Sequence, residues 1–553
     1  MNIVTVQQMR DLERQADAAG YPFATMMERA GRAVAEAIQE RQTVKGLRII
    51  VLVGPGNNGG DGLVCARHLQ EMGALVDTYI WKRDIQRDAN YQLLQEQRAR
   101  CHWRAQDRDL GTLRGLLAET DVIIDALLGT GVNKPLNEEL RELLGVVRET
   151  ASARAARPIP TLRSTTALSI AAPKTKPWIV AVDVPSGVNC DTGEADPATL
   201  TADLTVTFGY PKIGQFYFPA AAYLGELWIA DIGLPATLDA GSVELITAES
   251  VREMLPVRPL NAHKGSFGKA MVTAGSANYV GAAYLASAAA TRAGAGLVTL
   301  ALASSLHTIL AAKLTECTYL LLPDDRGALV PGGVKLIQEH LKGYGALLLG
   351  PGLGRDPKTV EFARELLGIR APFTAPRLGF LPDAAAGGAN LALPPLVIDA
   401  DGLNALADTP EWWTTLPREA ILTPHPGEMS RLLKCSIEEV EQNRLQTAQR
   451  AAAKWGQIVI LKGAHTVIAA PDGRAAISPF SNPGLASAGT GDVLAGVIVG
   501  LLAQGCAPFA AAVAGVYVHG LAGEMARQEF GDAGMTAGDL LPLLPKAIRA
   551  IKG

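Results

Sequence analysis

Short apolar runs and helix-period stretches alternate along this chain, and the alternation occurs twice. In the first half, the runs Leu47–Gly54, Ala74–Trp81, Asp121–Leu128, Trp178–Val184, Leu204–Phe208 and Glu226–Ile229 predict strands. Helical periodicity lies between the early ones, as in Leu63–Met72, and an amphipathic helix pair, Val6–Ala19 and Ala24–Arg41, precedes them. Strands that alternate with helices pair in parallel, because each crossover helix must lie on a face of the sheet. After Thr237–Val257, which reads as a connector, a second series begins. Its predicted strands are Lys269–Ala274, Leu297–Ala303, Tyr319–Leu322, Ala346–Leu349, Leu396–Asp399, Ile421–Thr423 and Ile458–Lys462, followed by helix from Thr490 to Ile551. With 553 residues, too many for one ordinary core, the expectation is two α/β domains, residues 1–240 and 241–553.

Two stretches break the pattern, 151–176 (Ala, Pro, Arg, Ser, Thr) and 369–395 (Ala, Pro, Gly), and both read as surface excursions. The net charge of -4, without a Lys/Arg block, argues against a nucleic-acid partner. Six cysteines lie far apart with no C-x-x-C pair, which speaks against a zinc site or disulfide framework and for a reducing, cytoplasmic setting. The N-terminal residues lack an apolar signal core. Residues 493–523 carry no charged side chain, yet Gly505 and Pro508 divide them, so two buried helices are expected rather than a membrane span.

Chemistry concentrates at two glycine turns. The first, Val51-Leu-Val-Gly-Pro-Gly-Asn-Asn-Gly-Gly-Asp-Gly62, satisfies G-x-G-x-x-G after a strand, with a helix expected near Leu63. A dinucleotide-cofactor fold also needs an acid at the end of the next strand; Asp77 has the spacing but sits inside its run. Asp125 near the end of one strand, the turn Gly129-Thr-Gly-Val-Asn-Lys-Pro135, Asp183-Val-Pro-Ser-Gly187 and Phe208-Gly-Tyr-Pro-Lys-Ile-Gly214 belong at the same edge of the sheet. Together with Met26-Met-Glu-Arg-Ala-Gly31, these segments closely resemble the NAD(P)HX epimerase family, whose substrate is nicotinamide nucleotide hydrated at ring carbon 6. The resemblance implies a Rossmann-like three-layer α/β/α sandwich. It also implies that Asn57, Asn58, Gly59, Gly60, Asp61, Gly129, Thr130, Gly131, Val132, Asn133, Lys134, Pro135 and Asp183 contact substrate. Asn58, Asp125 and Ser186 would surround potassium. Erasing the stereochemistry of carbon 6 needs a positioned acid/base, for which Asp183 is the candidate and Lys212 the helper; the alternative is a carboxylate that only binds ribose or caps its turn.

The second turn, Ser487-Ala-Gly-Thr-Gly-Asp492, heads a long apolar helix. Backbone donors there suit a transferring phosphoryl group, and Asp492 could take a proton from the attacking hydroxyl; an N-cap carboxylate is the plain alternative. Its companions are His263-Lys-Gly-Ser-Phe-Gly268, Tyr279-Val-Gly-Ala-Ala283, Gly350-Pro-Gly-Leu-Gly354, Asp399-Ala-Asp-Gly-Leu-Asn404, Thr423-Pro-His-Pro-Gly-Glu428 and Lys462-Gly-Ala-His-Thr466. The series is similar to the ADP-dependent NAD(P)HX dehydratase family, which is ribokinase-like. That implies a hydrated-nucleotide site of Ala282, Gly352, Gly354, His425 and Asp492, and an adenine-nucleotide site of Lys462, Gly463, Ala464, His465, Thr466 and Gly491. Mg2+ and ADP are the implied companions, AMP and phosphate the products. His425 and Glu428 lack a third partner at zinc spacing, and Asp399 and Asp401 read equally as a capped strand end or as phosphate- or magnesium-facing acids. The partners expected are NADHX, NADPHX and ADP, with a homo-oligomer anticipated. Two other readings stay open: a small-alcohol (vitamin precursor) kinase in the second half, or a non-catalytic nucleotide sensor in the first.

Overall fold

A computed structural model describes residues 1–155, 176–235, 241–369 and 393–553. Most of the two interrupting stretches lies outside these; Ala151–Ala155 end the helix Glu138–Ala155. The chain forms two compact units, one of Asn2–Gly241 and one of Ser242–Gly553, the latter also including Met1.

The first unit is built on seven parallel strands: β1 (Arg48–Val53), β2 (Leu75–Ile80), β3 (Arg100–Trp103), β4 (Val122–Ala126), β5 (Trp178–Val182), β6 (Leu204–Phe208) and β7 (Glu226–Ala230). Their order is β3-β2-β1-β4-β5-β6-β7. β3 was not expected, because Arg-Cys-His-Trp has no apolar run; Asp77 of β2 holds this edge by pairing with Arg100 at 2.9 Å and His102 at 3.0 Å. That engagement also removes Asp77 from any ribose. Side chains of β1 alternate between two cores. Ile49, Val51 and Val53 meet the N-terminal helices, while Ile50 and Leu52 meet the other layer. Each such buried aliphatic side chain contributes roughly 1.5–3 kcal/mol.

The helix after β1 begins at Asn57, not near Leu63, and runs to Glu71. The polar, glycine-rich residues are therefore its first turns rather than a loop. Glycine is required there by close approach: a Cβ on Gly59 would come within 2.1 Å of the Gly54 carbonyl, and one on Gly62 within 2.5 Å of Ala126. On the opposing helix Phe23–Arg41, a Cβ on Gly31 would lie 2.5 Å from the Asp61 carbonyl.

The second unit has a ten-stranded sheet. Its strands are β8 (Val243–Leu245), β9 (Lys269–Thr273), β10 (Leu297–Ala303), β11 (Thr318–Leu322), then, beyond the small antiparallel pair β12 (Asp324–Asp325) and β13 (Ala328–Leu329), β14 (Ala346–Leu349), β15 (Leu396–Ile398), β16 (Ile421–Leu422), β17 (Ile458–Leu461), β18 (Val467–Ala469) and β19 (Ala475–Ile477). The order is β11-β10-β9-β14-β15-β16-β17-β18-β19-β8, and the first seven are parallel. Hence the supposed connector 237–257 supplies an edge strand and the helix Ala248–Met254. β18 and β19 are three-residue strands, too short to show a period.

Thr490–Ala503 and Pro508–Phe530 form two separate helices, divided near Gly505 as expected. The first packs against Val280–Arg292, where a Cβ on Gly496 would lie 2.3 Å from the Ala286 carbonyl. The second is long and apolar enough to cross a membrane, but 67% of its most apolar window is buried within the protein.

Candidate functional site

The first sheet reverses its direction of growth beside β1 and the second beside β9, and ligand crevices form outside the C-terminal strand ends at such a point. In the first unit, the turns after β1, β4, β5 and β6 enclose a cavity of about 600 Å³, within the usual range for small-molecule sites. Asn57, Asn58, Asp61, all of Gly129–Pro135, Asp183 and Lys212 line it, as do Arg10 and Glu13 of the N-terminal helix Val6–Ala18. Gly59 and Gly60 do not line it; they set the close packing behind. Asp125 and Ser186 are buried and are likewise absent from the lining.

Asp183 follows β5 with φ 64°, a left-handed backbone that costs a non-glycine residue free energy and recurs at working sites. Its Oδ1 accepts from Lys212 Nζ (2.7 Å), Thr207 Oγ1 (3.0 Å) and Phe208 N (3.4 Å). Lys212 is buried and spends its other donors on Thr207 Oγ1 and the Phe208 carbonyl. It therefore fixes Asp183 rather than reaching for a ligand. Asp61 and Glu13 are held above the ordinary carboxylate range by burial, with the charge of Asp183 adding to it. The cavity thus holds one carboxylate braced by a lysine and two that resist ionisation.

Beneath the turns, Ser186 donates to Asp125 through Oγ (2.6 Å) and its backbone N–H (2.8 Å). Leu128 N–H donates to Ser186 Oγ at 2.9 Å. Burial raises the Asp125 carboxyl against these bonds. Both polar atoms of the Asn58 amide are buried without a hydrogen-bond partner among the described residues. An unmet buried amide is costly, and a water, an ion or a ligand would satisfy it. Sequence reasoning missed Glu13, Arg10 and Arg83. The last donates to the Gly54 and Gly56 carbonyls at 3.0 and 2.8 Å, clamping the turn from behind. None of the three lies in a motif.

In the second unit the turn after β14 carries Gly352 and Gly354, that after β15 Asp399 and Asp401, that after β16 His425 and that after β17 Lys462–Thr466, while Ala282 lies on the helix Val280–Arg292 and Gly491 and Asp492 begin the helix Thr490–Ala503. Gly350 and Gly352 have positive φ, 131° and 60°, and a Cβ on Gly352 would meet that of Ala282 at 2.6 Å. Ser276 Oγ bonds the Gly352 carbonyl at 2.9 Å, and Gly354 N–H donates to Asp401 Oδ2 at 2.8 Å. Ala400, at φ 49°, is strained between the two acids. Asp399 turns inward, where its Oδ1 accepts from Thr423 Oγ1 (2.6 Å) and Lys462 Nζ (2.8 Å). Asp401 turns toward Gly354. The two acids take different roles, a distinction their spacing does not contain.

His425 caps the helix Pro426–Leu433: its Nδ1 accepts from Gly427 N–H at 3.0 Å, so the proton sits on Nε2. Burial lowers its pKa. Lys462 lies 3.7 Å from Glu428 as well as bonding Asp399. Burial works against its charge, but the Asp399 and Glu428 carboxylates outweigh that and raise its pKa. A Cβ on Gly491 would sit 3.5 Å from Lys462 Nζ, which places the lysine against the helix start Thr490-Gly-Asp492. There Asp492 is pushed up to about 7, first by burial and then by Asp399, with Lys462 opposing. His465, at φ 51°, bonds the Ser478 carbonyl through Nδ1 and shapes its own loop; Gly463 and Ala464 are exposed.

The chain matches two family models: one described as YjeF-related protein N-terminus over residues 24–214, and one described as NAD(P)H-hydrate dehydratase over residues 270–546. It is 38% identical to a bifunctional NAD(P)H-hydrate repair enzyme of Moorella thermoacetica, covering 100% of this chain and 97% of that one. With the enzyme of the same name from Escherichia coli it shares 32% identity, covering 97% and 92%. A solved ADP/ATP-dependent NAD(P)H-hydrate dehydratase from Bacillus subtilis, co-crystallised with ATP and Mg2+, is 30% identical over 56% of this chain and all of that one, with a TM-score of 0.46. Likeness at 38% and 32% identity over nearly the full length of enzymes named as bifunctional means that this chain belongs to the family of bifunctional NAD(P)H-hydrate repair enzymes.

Proposed function

We propose that the first unit interconverts the R and S forms of hydrated NADH and NADPH, and that the second returns the S form to the reduced dinucleotide at the expense of ADP. Carbon 6 of the hydrated ring bears a hydroxyl beside the ring nitrogen. Proton transfer to and from that hydroxyl allows its reversible loss, or ring opening, and so erases the configuration. Asp183, braced by Lys212, is the acid/base. Asn57, Asn58, Asp61 and Gly129–Pro135 bind the dinucleotide, with the helix start at Asn57 facing its phosphates. The unpartnered Asn58 amide, with Asp125 and Ser186, offers oxygen donors that fit potassium, which would offset phosphate charge when bound.

In the second unit Ala282, Gly352, Gly354, His425 and Asp492 line the hydrated-nucleotide site, while the Lys462–Thr466 loop and Gly491 hold the adenine nucleotide. Asp492 takes the proton of the carbon 6 hydroxyl as its oxygen attacks the terminal phosphorus of ADP, and the phosphoanhydride bond breaks to release AMP. The ring nitrogen then expels phosphate from carbon 6. Loss of a proton from carbon 5 restores the ring double bond. Mg2+ would balance the charge of the ADP phosphates. The observation that carries this reading is Asp492, a carboxyl pushed up to about 7 at a helix start against Lys462, poised to accept a proton near neutrality. All six cysteines are unpaired, which supports cytoplasmic placement; homo-oligomeric assembly is part of the proposal and is read by sedimentation.

The test is incubation of mixed R and S NADHX with ADP or ATP, following the near-ultraviolet absorbance of NADH. Full recovery requires both activities. A halt at the S fraction means the first unit does not epimerise, and a stable phosphorylated product would mean a kinase instead.

A further inference from the structure

We infer that a cationic pocket beside the second site, formed by Arg355, Arg364, Arg431 and Lys434 around Asp401 and Asn404, binds a phosphate group of the hydrated dinucleotide and so anchors the substrate away from its reacting ring. This rests on the function proposed above and adds a subsite to it. The pocket has a volume of about 460 Å³. Four cations line it against two carboxylates, Asp401 and Asp408, which leaves a positive excess suited to a dianion.

Its position ties it to the substrate. Arg355 follows Gly354 directly and lies 3.7 Å from Asp401, the same carboxylate that receives the Gly354 N–H. Arg431 sits on the helix capped by His425, and a Cβ on Gly427 would lie 2.9 Å from the His425 ring and 3.9 Å from Arg431 Nη1. The pocket therefore opens next to Gly354 and His425, two residues assigned to the hydrated nucleotide, and not on the Lys462–Gly491 side assigned to ADP.

The cations are also presented rather than consumed. Arg431 donates Nε to Asn404 Oδ1 (3.0 Å) and Arg364 donates Nε to the Ala405 carbonyl (2.8 Å). Each bond anchors one edge of a guanidinium, and the forked terminal nitrogens keep donors for an oxyanion. Arg355 is 63% exposed on its side chain and Lys434 has no ion pair among the described residues, although its backbone is held left-handed at φ 56°. Such groups cost stability through mutual repulsion unless an anion joins them.

The experiment compares Arg355→Ala, Arg431→Gln and Lys434→Ala with the wild-type chain in steady-state dehydration of (S)-NADHX and (S)-NADPHX. Loss of one charge-assisted contact raises KM about tenfold, while kcat and the KM for ADP stay put. Equal increases for both substrates identify the pyrophosphate as the bound group; an increase for NADPHX alone identifies the 2′-phosphate. Arg431→Lys restores part of the loss. Unmoved KM values with an active wild type overturn the inference, as does an increase confined to ADP. A wild type that regenerates no NADH sinks the proposed function instead. The pocket is then still read by titration calorimetry with inorganic pyrophosphate, whose binding Arg355→Ala/Arg431→Gln must remove and Asp492→Asn must leave.

Discussion

Replacing Asp492 by asparagine separates the catalytic role proposed for this carboxylate from its effect on stability. Holding the carboxyl at about 7 instead of 3.8 means that its ionised form costs about 4 kcal/mol in the fold. The group is partly exposed, and solvent relaxation about halves such figures, so about 2 kcal/mol is the working value. The sign follows from linkage: the folded state holds the proton more tightly, so the native state loses stability as pH rises from 3.8 to about 7. Asp492→Asn, isosteric and uncharged, should therefore gain about 2 kcal/mol at pH 8, near 4 °C in the melting of its unit, and nothing below pH 3.8. The same variant loses the base we propose, so dehydration of (S)-NADHX should fall by about 10³-fold, within the span of one positioned acid/base. In the wild type the rate should rise with pH through about 7. Paired calorimetric scans at pH 4 and 8, with rates from pH 5.5 to 9, decide it. A variant that melts lower at pH 8, or that keeps its rate, refutes the reasoning.

Three other perturbations follow from the geometry. Asp183→Ala should leave dinucleotide binding within about twofold yet stop epimerisation, so that recovery of NADH from the mixture halts at the S fraction. Gly59→Ala drives a Cβ to 2.1 Å from the Gly54 carbonyl and should cost about 3 kcal/mol in denaturant unfolding of the first unit, whereas the same change at Gly115, where nothing lies within 4 Å, should cost none. His519 is buried and lowered to about 4, with Nε2 3.0 Å from the Thr490 carbonyl. Its folded pKa lies below the unfolded 6.5, so it removes up to about 3 kcal/mol as pH falls from 6.5 to 4, opposite in sign to Asp492. His519→Gln should flatten that acid limb of the melting curve; an unchanged limb would refute the assignment.

Most of the architecture was legible because parallel strands buried on both faces write themselves as apolar runs: β1, β4, β10 and β17 all lay where those runs fell. Escapes from the reading share a cause. Arg-Cys-His-Trp became β3 beside Asp77, which ion-pairs with Arg100 and hydrogen-bonds His102, and β18 and β19 have three residues each, below any period. The start of the glycine-rich helix was misplaced because Asn-Asn-Gly-Gly-Asp reads as turn chemistry; only packing against Gly31 and Gly54 makes it helical.

Residue types and their local spacing determined where the candidate residues sit, since strand ends and glycine turns are short-range facts of the chain. What a side chain meets there is long-range. That Lys212 is spent on Asp183, that Asp399 faces Lys462 while Asp401 faces Gly354, and that Glu13 enters the first cavity from a helix with no motif all depend on segments brought together from far along the sequence. The proton affinity of Asp492 is likewise made by burial and by neighbours from other strand ends, and those exist only once both the sheet and the helix over it have closed.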